Sequence, residues 1–217
     1  MISSFDAKGS NFMGSVRQSH QRSGRDSFSS PVGISRHHVA QRKTPVGSKL
    51  IFVLGGARSG KSSFALQQGK SKSPRAFVAT GEPFDQEMAG RIRKHQRSRG
   101  RGWVTIEIPT RISEWLAEQG SGYPSIVVDC LTLWLNNLLR DRVRPSQVPT
   151  HVRAFLRSAR ACPGQIVVVS NELGLGLVPG DVISRSFRDV AGRMNQLVAA
   201  EADEVYFLVS GLPLRLK

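Results

Sequence analysis

The chain has 217 residues, of which 39% are hydrophobic, and a formal net charge of +15. This length suffices for one sizeable α/β domain with a hydrophobic core, and no apolar run approaches the roughly 18 residues of a membrane-spanning helix. The two cysteines, Cys130 and Cys162, have neither metal-binding nor CxxC spacing. We therefore expect small buried thiols and a cytoplasmic protein.

The positive charge is spread along the chain. Residues 1–49 carry 8 Lys and Arg against 2 acidic residues, and the remaining 168 carry 23 against 14. The 15 aromatic residues form no stripe interleaved with basic ones. An enzyme with anionic substrates also gains from a positive field, so we expect no nucleic-acid partner and keep nucleic-acid binding as a minority alternative.

The first 47 residues are rich in serine and show no sustained apolar period. Such a segment buries too little surface to offset its ordering entropy, which predicts a disordered extension. It has no apolar region typical of a secretory signal. Its Arg-rich, acid-poor composition is typical of a transit peptide, and a misassigned upstream start codon is an equal alternative. We place the folded domain at residues 48–217.

From Leu50 onward, strand-like and helix-like stretches alternate. The first strand is predicted at 50–54, followed by a helix from 63 to 68, a strand at 75–79 and a helical stretch at 84–99. A strand at 103–108, a helix at 112–118, a strand at 125–129 and helices at 131–139 and 148–160 follow. The last elements are a strand at 165–169, a helix at 181–200 and a strand at 204–210 that closes the sheet. Continuous apolar strands separated by helices predict a mainly parallel sheet with helices on both faces.

The segment after the first predicted strand matches the phosphate-binding pattern G-x-x-x-x-G-K-[ST]. Its residues are Gly55, Gly56, Ala57, Arg58, Ser59, Gly60, Lys61 and Ser62. A strand before the motif and a helix after it form the context that this loop requires. Its backbone N–H groups point at phosphate oxygens, and the helix N-terminus adds partial positive charge. We predict an α/β P-loop NTPase (RecA-like) fold that binds a nucleoside triphosphate, with Lys61 at its phosphates and Ser62 on Mg²⁺.

Polar residues also follow other predicted strands, where an open parallel sheet binds its ligands. Ala79, Thr80 and Gly81 follow the second strand, and we expect them to contact the nucleotide. Ile126-Val127-Val128-Asp129 is a Walker-B type pattern, which delivers a carboxylate beside the phosphate loop. Asp129 is therefore predicted to hold Mg²⁺ and to serve catalysis together with Lys61. The alternative is that Asp129 only caps the following helix.

A second group of candidate residues lies in the helical stretch 84–99. Arg91, His95 and Arg99 are spaced at i, i+4 and i+8, so they share one helix face. Two neighbouring arginines disfavour protonation of His95 and leave a neutral, nucleophilic imidazole, and they can gather phosphate oxygens. These are the requirements for attack on a phosphorus atom. A solvated basic helix face with an incidental histidine is the alternative.

The glycine-punctuated segment 171–179 follows a predicted buried strand, a position that suits substrate contact. In the helix after it, Arg185 and Arg188 lie on one face. They would either contact a phosphate or pair with Asp181 and Asp189.

Together these segments resemble the bifunctional adenosylcobinamide kinase / adenosylcobinamide-phosphate guanylyltransferase family of cobalamin biosynthesis. The stretches that carry the resemblance are FVLGGARSGKSSFA, VATGEPFDQEMAGRIRKHQRSRGRGWVTIEIP, VVDCLTLWLNNLL, VVSNELGLGLVPGD and SRSFRDVAGRMNQLVAAEADEVYFLVSGLPLRLK. They cover nearly all of the domain in order, whereas a generic P-loop kinase would share only the first. Residues 1–47 lie outside the resemblance.

The resemblance implies two reactions. ATP or GTP first phosphorylates the hydroxyl on the aminopropanol arm of adenosylcobinamide. A histidine then attacks the α-phosphorus of GTP and releases pyrophosphate, and the phosphorylated corrinoid displaces GMP to give adenosylcobinamide-GDP. A covalent intermediate splits one difficult displacement into two easier ones. The resemblance also suggests a homo-oligomer, a trimer with sites near subunit boundaries.

By position, His95 is the candidate nucleophile of the second reaction. Family members often carry two adjacent histidines here, and this chain has Lys94-His95, so Lys94 is an alternative carrier of GMP. We also expect nucleotide contacts from the residues after His95 and from the end of the strand at 103–108. These residues are Gln96, Arg97, Ser98 and Glu107.

Two other functions remain open at this stage. A P-loop kinase of a small molecule without nucleotidyl transfer needs only the phosphate loop and Asp129, and it forms no covalent GMP adduct. A nucleic-acid-dependent NTPase would be stimulated by DNA or RNA and would bind less tightly at high salt. A signalling GTPase is disfavoured, because the chain contains no Asn-Lys-x-Asp motif.

Overall fold

The structure is a computed structural model, and it describes residues 49–69, 73–82, 86, 90 and 100–217. Seven strands form one sheet: β1 (Lys49–Gly55), β2 (Arg75–Ala79), β3 (Trp103–Glu107), β4 (Ser125–Asp129), β5 (Gln165–Val169), β6 (Glu204–Val209) and β7 (Leu212–Arg215). The predicted extension 1–47 and nearly all of the predicted helix 84–99 lie outside the described residues.

The order of the strands in the sheet is β3-β2-β4-β5-β1-β6-β7. Strands β1 to β6 pair in parallel, and β7 pairs antiparallel with β6. β1 is an interior strand, since Ile51 is in register with Val167 of β5 on one side and with Glu204 of β6 on the other. The predicted mainly parallel α/β sheet is confirmed.

Five helices are described around this sheet: α1 (Lys61–Gln68), α2 (Ile112–Gln119), α3 (Leu131–Arg140), α4 (Val148–Ala161) and α5 (Val182–Glu201). Short 3-10 turns follow α2 at Gly120–Gly122 and precede α4 at Pro145–Gln147. Each helix agrees with its predicted range to within two residues, and the largest difference is that α1 begins at Lys61 rather than Ser63. The helix therefore starts inside the phosphate-binding motif.

The alternating side chains of the central strands divide the core between the two faces of the sheet. Leu50 and Phe52 of β1 pack in one cluster with buried residues of α2 to α5. Ile51 and Val53 pack in the other, together with Ala65 of α1. Full burial of such a side chain contributes about 1.5–3 kcal/mol. Helices thus cover both faces, as predicted, with α1 and α5 on opposite sides.

The C-terminal edge of the sheet differs from the expectation. The segment 204–210 was expected to close the sheet, but β7 lies beyond β6 as the edge strand. A turn with left-handed Ser210 (φ 50°) and Gly211 (φ 85°) joins the two strands. All four residues of β7 are exposed, and Pro213 has no N–H to donate. Leu212 and Leu214 alternate with Pro213 and Arg215, but the strand has only four residues and contains a proline, so its sequence carries a weak strand signal.

A carboxylate ties the beginning of β1 to two distant elements. Asp203, between α5 and β6, accepts hydrogen bonds from the Leu50 N–H (2.7 Å) and from both terminal nitrogens of Arg160 on α4 (2.7 and 3.1 Å). Burial opposes ionisation of this carboxyl, but the bonds from Arg160 and Leu50 outweigh it and hold the pKa of Asp203 below its usual value. Ionised Asp203 therefore helps to fix the strand that leads into the phosphate loop.

Candidate nucleotide-binding site

The phosphate-binding motif adopts the strand, loop and helix arrangement that it requires. β1 ends at Gly55, and α1 begins at Lys61 with Gly60 as its N-cap residue. Within the loop the Ser59 N–H donates to the Gly56 carbonyl (3.3 Å), and Arg58 has a left-handed φ of 57°. The loop leads into the N-terminus of α1, which carries unpaired N–H groups and partial positive charge. This is suitable geometry for binding phosphate.

The turn between β6 and β7 contacts the backbone of the phosphate-binding loop. The Gly211 N–H donates to the Ser59 carbonyl at 3.0 Å. A Cβ on Gly60, whose φ is 94°, would lie 3.2 Å from the Gly211 Cα, and a Cβ on Gly55 would lie 2.6 Å from the Leu208 carbonyl oxygen. Close backbone approach therefore requires glycine at 55, and the left-handed φ together with a tight contact favours it at 60. Sequence reasoning missed this support, because the motif contains no residue of the turn.

Lys61 lies at the first turn of α1, with only 8% of its surface exposed. Its ammonium donates to the Gly56 carbonyl and, at 3.4 Å, to Ser59 Oγ. Burial lowers the pKa of Lys61, and the nearby Asp129 and Cys130 partly oppose this shift. The lysine thus places a desolvated amine beside the loop, where a phosphate oxygen would interact strongly with it.

Asp129 is the last residue of β4, and its charge acts on Lys61, so the two side chains lie near each other at the carboxyl end of the sheet. The N-cap residue of α3 is Cys130, the residue after Asp129. Ser62 is half-buried in the first turn of α1. Its hydroxyl and the Asp129 carboxylate are hard oxygen donors of the kind that Mg²⁺ prefers. The described ranges contain no cluster of three His, Cys, Asp or Glu side chains suited to another metal.

Thr80 fixes the chain around Asp129. Its buried hydroxyl donates to the Cys130 carbonyl and accepts from the Cys130 N–H, both at 2.8 Å. The Thr80 N–H donates to the Asp129 carbonyl (3.1 Å), and the Asn137 side chain donates to the Thr80 carbonyl (2.8 Å). Every polar group of Thr80 is thus engaged within the protein, which favours a supporting role over direct contact with the nucleotide.

The predicted nucleotide contacts are spread along the sheet edge. β4, which carries Asp129, is two strands from β1, β2 with Ala79 is three, and β3 with Glu107 is four. At about 4.8 Å per strand, Glu107 lies roughly 19 Å from the phosphate loop along the sheet. Ala79 and Gly81 flank Thr80 at the end of β2. Glu107 is therefore too distant to contact phosphates held by that loop.

The segment after β5 joins the phosphate loop to α3 and α5. The Glu172 N–H donates to the Gly55 carbonyl (3.1 Å), and the Asn171 N–H donates to Thr132 Oγ1 (2.9 Å). Asn195 of α5 donates to the Asn171 carbonyl at 3.1 Å. Residues 171 and 172 are thereby held at the carboxyl end of β1, as the prediction of a substrate-contacting segment requires.

Arg185 and Arg188 organise the glycine-punctuated segment. Arg185 donates to the carbonyls of Pro179 (2.9 Å) and Gly180 (2.7 Å). Arg188 donates to the carbonyl of Leu177 at 3.1 Å and makes longer contacts to those of Gly174 (3.3 Å) and Gly176 (3.4 Å). The alternative in which Arg185 pairs with Asp181 is not observed among the described residues, where Asp181 instead caps α5 by accepting from the Ser184 N–H. Carbonyls of the preceding segment are satisfied by these arginines.

The other predicted site residues have different outcomes. His95 and its neighbours Arg91, Lys94, Gln96, Arg97, Ser98 and Arg99 lie outside the described residues. Cys130 and Cys162 are free and buried, as expected. Within the described part of the chain, no helix has the length and apolar character needed to cross a membrane.

Comparison with known proteins identifies close sequence relatives. A family model described as cobinamide kinase / cobinamide phosphate guanyltransferase matches residues 51–216. The bifunctional adenosylcobalamin biosynthesis protein CobP of Pseudomonas aeruginosa is 40% identical over 166 residues, which cover 76% of this chain and 95% of that protein. The corresponding CobU protein of Escherichia coli strain K12 is 33% identical over 180 residues, covering 77% of this chain and 99% of that protein.

Comparison with solved structures finds more distant similarity. The RadB recombinase aligns with a TM-score of 0.44 and 17% identity, over 75% of this chain and 74% of that one. A KaiC-like protein from Pyrococcus horikoshii OT3 aligns with a TM-score of 0.44 and 12% identity, over 73% of this chain and 70% of that one.

Proposed function

Since this chain belongs to the cobinamide kinase / cobinamide phosphate guanyltransferase family, we propose that it phosphorylates adenosylcobinamide with ATP or GTP and then transfers GMP from GTP to adenosylcobinamide phosphate, giving adenosylcobinamide-GDP. The observation that carries the proposal is the family match over residues 51–216, which includes an intact phosphate loop. The chain is thus a transferase with two activities.

In the kinase reaction the phosphate loop holds the triphosphate. Backbone N–H groups of residues 55–62 surround the phosphates, and Lys61 compensates charge on the β- and γ-phosphates. Asp129 and Ser62 would supply oxygen ligands for Mg²⁺, which would screen phosphate charge during transfer. The positions of Lys61 and Asp129 at the same end of the sheet support this assignment. Because Thr80 holds the backbone of Asp129, it positions that carboxylate.

In the guanylyltransferase reaction His95 is proposed to carry GMP. An imidazole nitrogen attacks the α-phosphorus of GTP, the bond to the β-phosphate oxygen breaks, and pyrophosphate leaves. A phosphate oxygen of adenosylcobinamide phosphate then attacks the same phosphorus and releases the imidazole. Arg91 and Arg99 would gather phosphate oxygens if the segment is helical. Lys94 is the alternative carrier of GMP.

The nucleotide contacts expected at Gln96, Arg97, Ser98 and Glu107 remain part of this proposal. Glu107 lies four strands from β1, so it would contact a part of the nucleotide remote from the phosphates. Guanine or ribose donors are groups that a carboxylate can bind. Ala79 and Gly81, at the end of β2, lie between Glu107 and the phosphate loop and would contact the same nucleotide.

Labelling with GTP tests the covalent step directly. The full-length protein is incubated with GTP labelled on the α-phosphate, and the labelled peptide is mapped by mass spectrometry. We expect label on His95, abolished in His95→Asn and retained in His151→Asn, the matched control at the other histidine of residues 48–217. GTP labelled on the γ-phosphate should leave no label. Label on Lys94 or any other residue would contradict the assignment.

A separate assay tests the kinase reaction. Adenosylcobinamide with ATP or GTP should yield adenosylcobinamide phosphate, and comparison of the two donors gives the preferred one. Phosphorylated corrinoid without labelled protein would instead identify a kinase that lacks nucleotidyl transfer. Lys61→Met should abolish phosphorylation, because the phosphate charge then lacks its cation.

We also propose a cytoplasmic homo-oligomer, with a trimer suggested by the sequence resemblance. Free buried cysteines fit a reducing compartment. Exposed apolar side chains in and after the glycine-punctuated segment 171–179 support a protein interface: Leu175, Leu177, Val178, Val182 and Ile183. Sedimentation velocity of the full-length protein should give one species at three times the chain mass, and a monomer would contradict the trimer.

A further inference from the structure

A cavity of about 500 Å³ lies along one side of α5, beside the start of the phosphate loop. Leu54, Glu172 and Gly174 line one wall. The other wall is a stripe of α5 that includes Arg188, Asp189, Gly192, Arg193, Asn195 and Gln196. A cavity of this size accommodates a chain of several non-hydrogen atoms or part of a larger ligand.

This cavity reaches the same strand end as the phosphate loop, but from the opposite face of the sheet. Leu54 directly precedes Gly55, and Glu172 is bonded to the Gly55 carbonyl through its N–H. α1 packs on one face through Ala65, whereas α5 packs on the other through Met194. A nucleotide at the N-terminus of α1 and a second ligand in the cavity would therefore meet at the carboxyl ends of β1 and β5.

The side chains that line the cavity include both hydrogen-bond donors and hydrogen-bond acceptors. Arg188 and Arg193 supply cationic donors, and over the described residues neither has a carboxylate within ion-pair distance. Glu172 and Asp189 supply acceptors. Asn195 is 4% exposed, and its side-chain oxygen has no hydrogen-bond partner while its nitrogen donates to the Asn171 carbonyl. A buried acceptor without a partner is costly, so a ligand N–H donor is the expected complement.

We propose that this cavity is the acceptor site, which receives the aminopropanol arm of the corrinoid. The inference rests on the proposed function and assigns a place to its second substrate. The arm carries an amide N–H, which suits Asn195, and it ends in a hydroxyl before phosphorylation and in a phosphate afterwards, which suits Arg193. The corrin ring is too large for the cavity and remains outside it.

A cavity-filling substitution provides the main test. A Cβ on Gly192 would meet no atom within 4 Å, so there is room for the first carbon of a larger side chain, and Gly192→Leu should place its remaining carbons in the cavity that Gly192 lines. Leucine also favours a helix interior over glycine, so α5 should remain folded. We expect the KM for adenosylcobinamide in the kinase reaction to rise by about tenfold or more, with the KM for the nucleotide unchanged within about twofold. Gly192→Ala, which adds one carbon, should have a smaller effect.

Removal of one lining charge is an independent test. Arg193→Gln should raise the KM for adenosylcobinamide phosphate in GMP transfer more than the KM for adenosylcobinamide in phosphorylation, because only the former carries the phosphate. The matched control is Arg157→Gln, an exposed arginine of α4 that does not line the cavity. This control keeps wild-type KM values for both corrinoids. Formation of the labelled GMP–enzyme from GTP alone should be unchanged in Arg193→Gln.

The outcomes separate the acceptor site from the function on which it rests. Unchanged corrinoid KM values in Gly192→Leu and Arg193→Gln, in an otherwise active enzyme, would place the arm elsewhere and leave the function intact. A parallel loss of nucleotide affinity would assign the cavity to the nucleotide and overturn the inference. Wild-type protein that leaves adenosylcobinamide unmodified would refute the function and the acceptor site together. If Gly192→Leu does not fold, Arg193→Gln decides.

Discussion

Asp203 links the loop before β6 to β1 and to α4, so replacing its carboxylate by an amide tests how the entrance to the phosphate loop is held. The carboxylate accepts from the Leu50 N–H at 2.7 Å and from Arg160 at 2.7 and 3.1 Å. In Asp203→Asn the charge is lost, and the new NH₂ group faces donors. The single amide oxygen of asparagine can then accept only some of the three hydrogen bonds.

The expected loss follows from these contacts. A hydrogen bond to a charged group contributes roughly 1.5–3 kcal/mol when buried. The Asp203 side chain is 31% exposed and that of Arg160 is 22% exposed, so water screens part of this interaction. We expect Asp203→Asn to lower the free energy of unfolding by about 2–3 kcal/mol in total. For a domain of this size that corresponds to roughly 5–10 °C in Tm.

Urea unfolding at neutral pH measures the change, with an exposed ion pair as control. Arg111 and Glu114 are 3.8 Å apart, with side chains 77% and 51% exposed. Glu114→Gln should change the unfolding free energy by less than about 0.5 kcal/mol. A double-mutant cycle with Arg160→Gln separates the Arg160 bond from the Leu50 bond. If Asp203→Asn behaved like the Glu114 control, this account of the β1 anchor would be refuted.

The pH dependence gives a second check on Asp203. Its pKa is lower in the folded protein, where bonds from Arg160 and Leu50 outweigh the effect of burial. Its contribution is therefore fully present above the unfolded value of about 3.9 and is lost as pH falls through the lower folded value. The stability difference between wild type and Asp203→Asn should shrink below about pH 3.9. An equal difference at neutral and strongly acidic pH would contradict the reasoning.

Three further predictions concern the site. Lys61→Met removes a buried cation whose pKa burial lowers, so the free protein should be at least as stable as wild type, yet Mg-GTP should no longer raise its Tm in thermal unfolding; a Tm shift equal to wild type would count against Lys61 as a phosphate ligand. Gly60→Ala forces a left-handed alanine against Gly211, which should cost roughly 1–3 kcal/mol in urea unfolding, whereas Gly56→Ala meets open space and should cost much less. Burial raises the pKa of the Cys130 thiol to about 12, so iodoacetamide at about pH 8 should label it only after unfolding, and native labelling detected by mass spectrometry would show an accessible thiol.

The elements could be predicted because each leaves a local signal. The strands β4 and β5 contain the apolar runs 126–128 and 166–169, which are buried, and the bounds of both strands match the prediction at both ends. The helices agree within two residues. The phosphate-binding motif was equally readable, since its glycines, Lys61 and Ser62 lie within eight residues.

The order of the strands could not be predicted, because pairing joins distant segments. β1 pairs with β5 and β6, more than 100 residues further along the chain. The order of the strands also determines which of the predicted contact residues lie close together in the structure. Asp129 lies near Lys61, whereas Glu107 lies four strands away, although both follow predicted strands in the sequence.

Supporting polar groups were also beyond sequence reasoning. Asn137 lies within an apolar helix, yet its side chain donates to the carbonyls of Thr80 and Pro109. Asn195 similarly lies on the buried side of α5 and holds the Asn171 carbonyl. The sequence position of a buried amide in a helix does not indicate which group it will hydrogen-bond. Such residues become visible only when the packing is known.

The bond between Gly211 and Ser59 also has a consequence for the order of folding. Residues 55–62 leave the ribosome early, but the turn that supports them is made only when the last strands have been synthesised. β1 likewise obtains both of its neighbours late. Because contacts between distant segments form slowly, the triphosphate should be unable to stabilise the nascent chain before β6 and β7 have joined the sheet. Nucleotide affinity would then report completed folding of the whole domain.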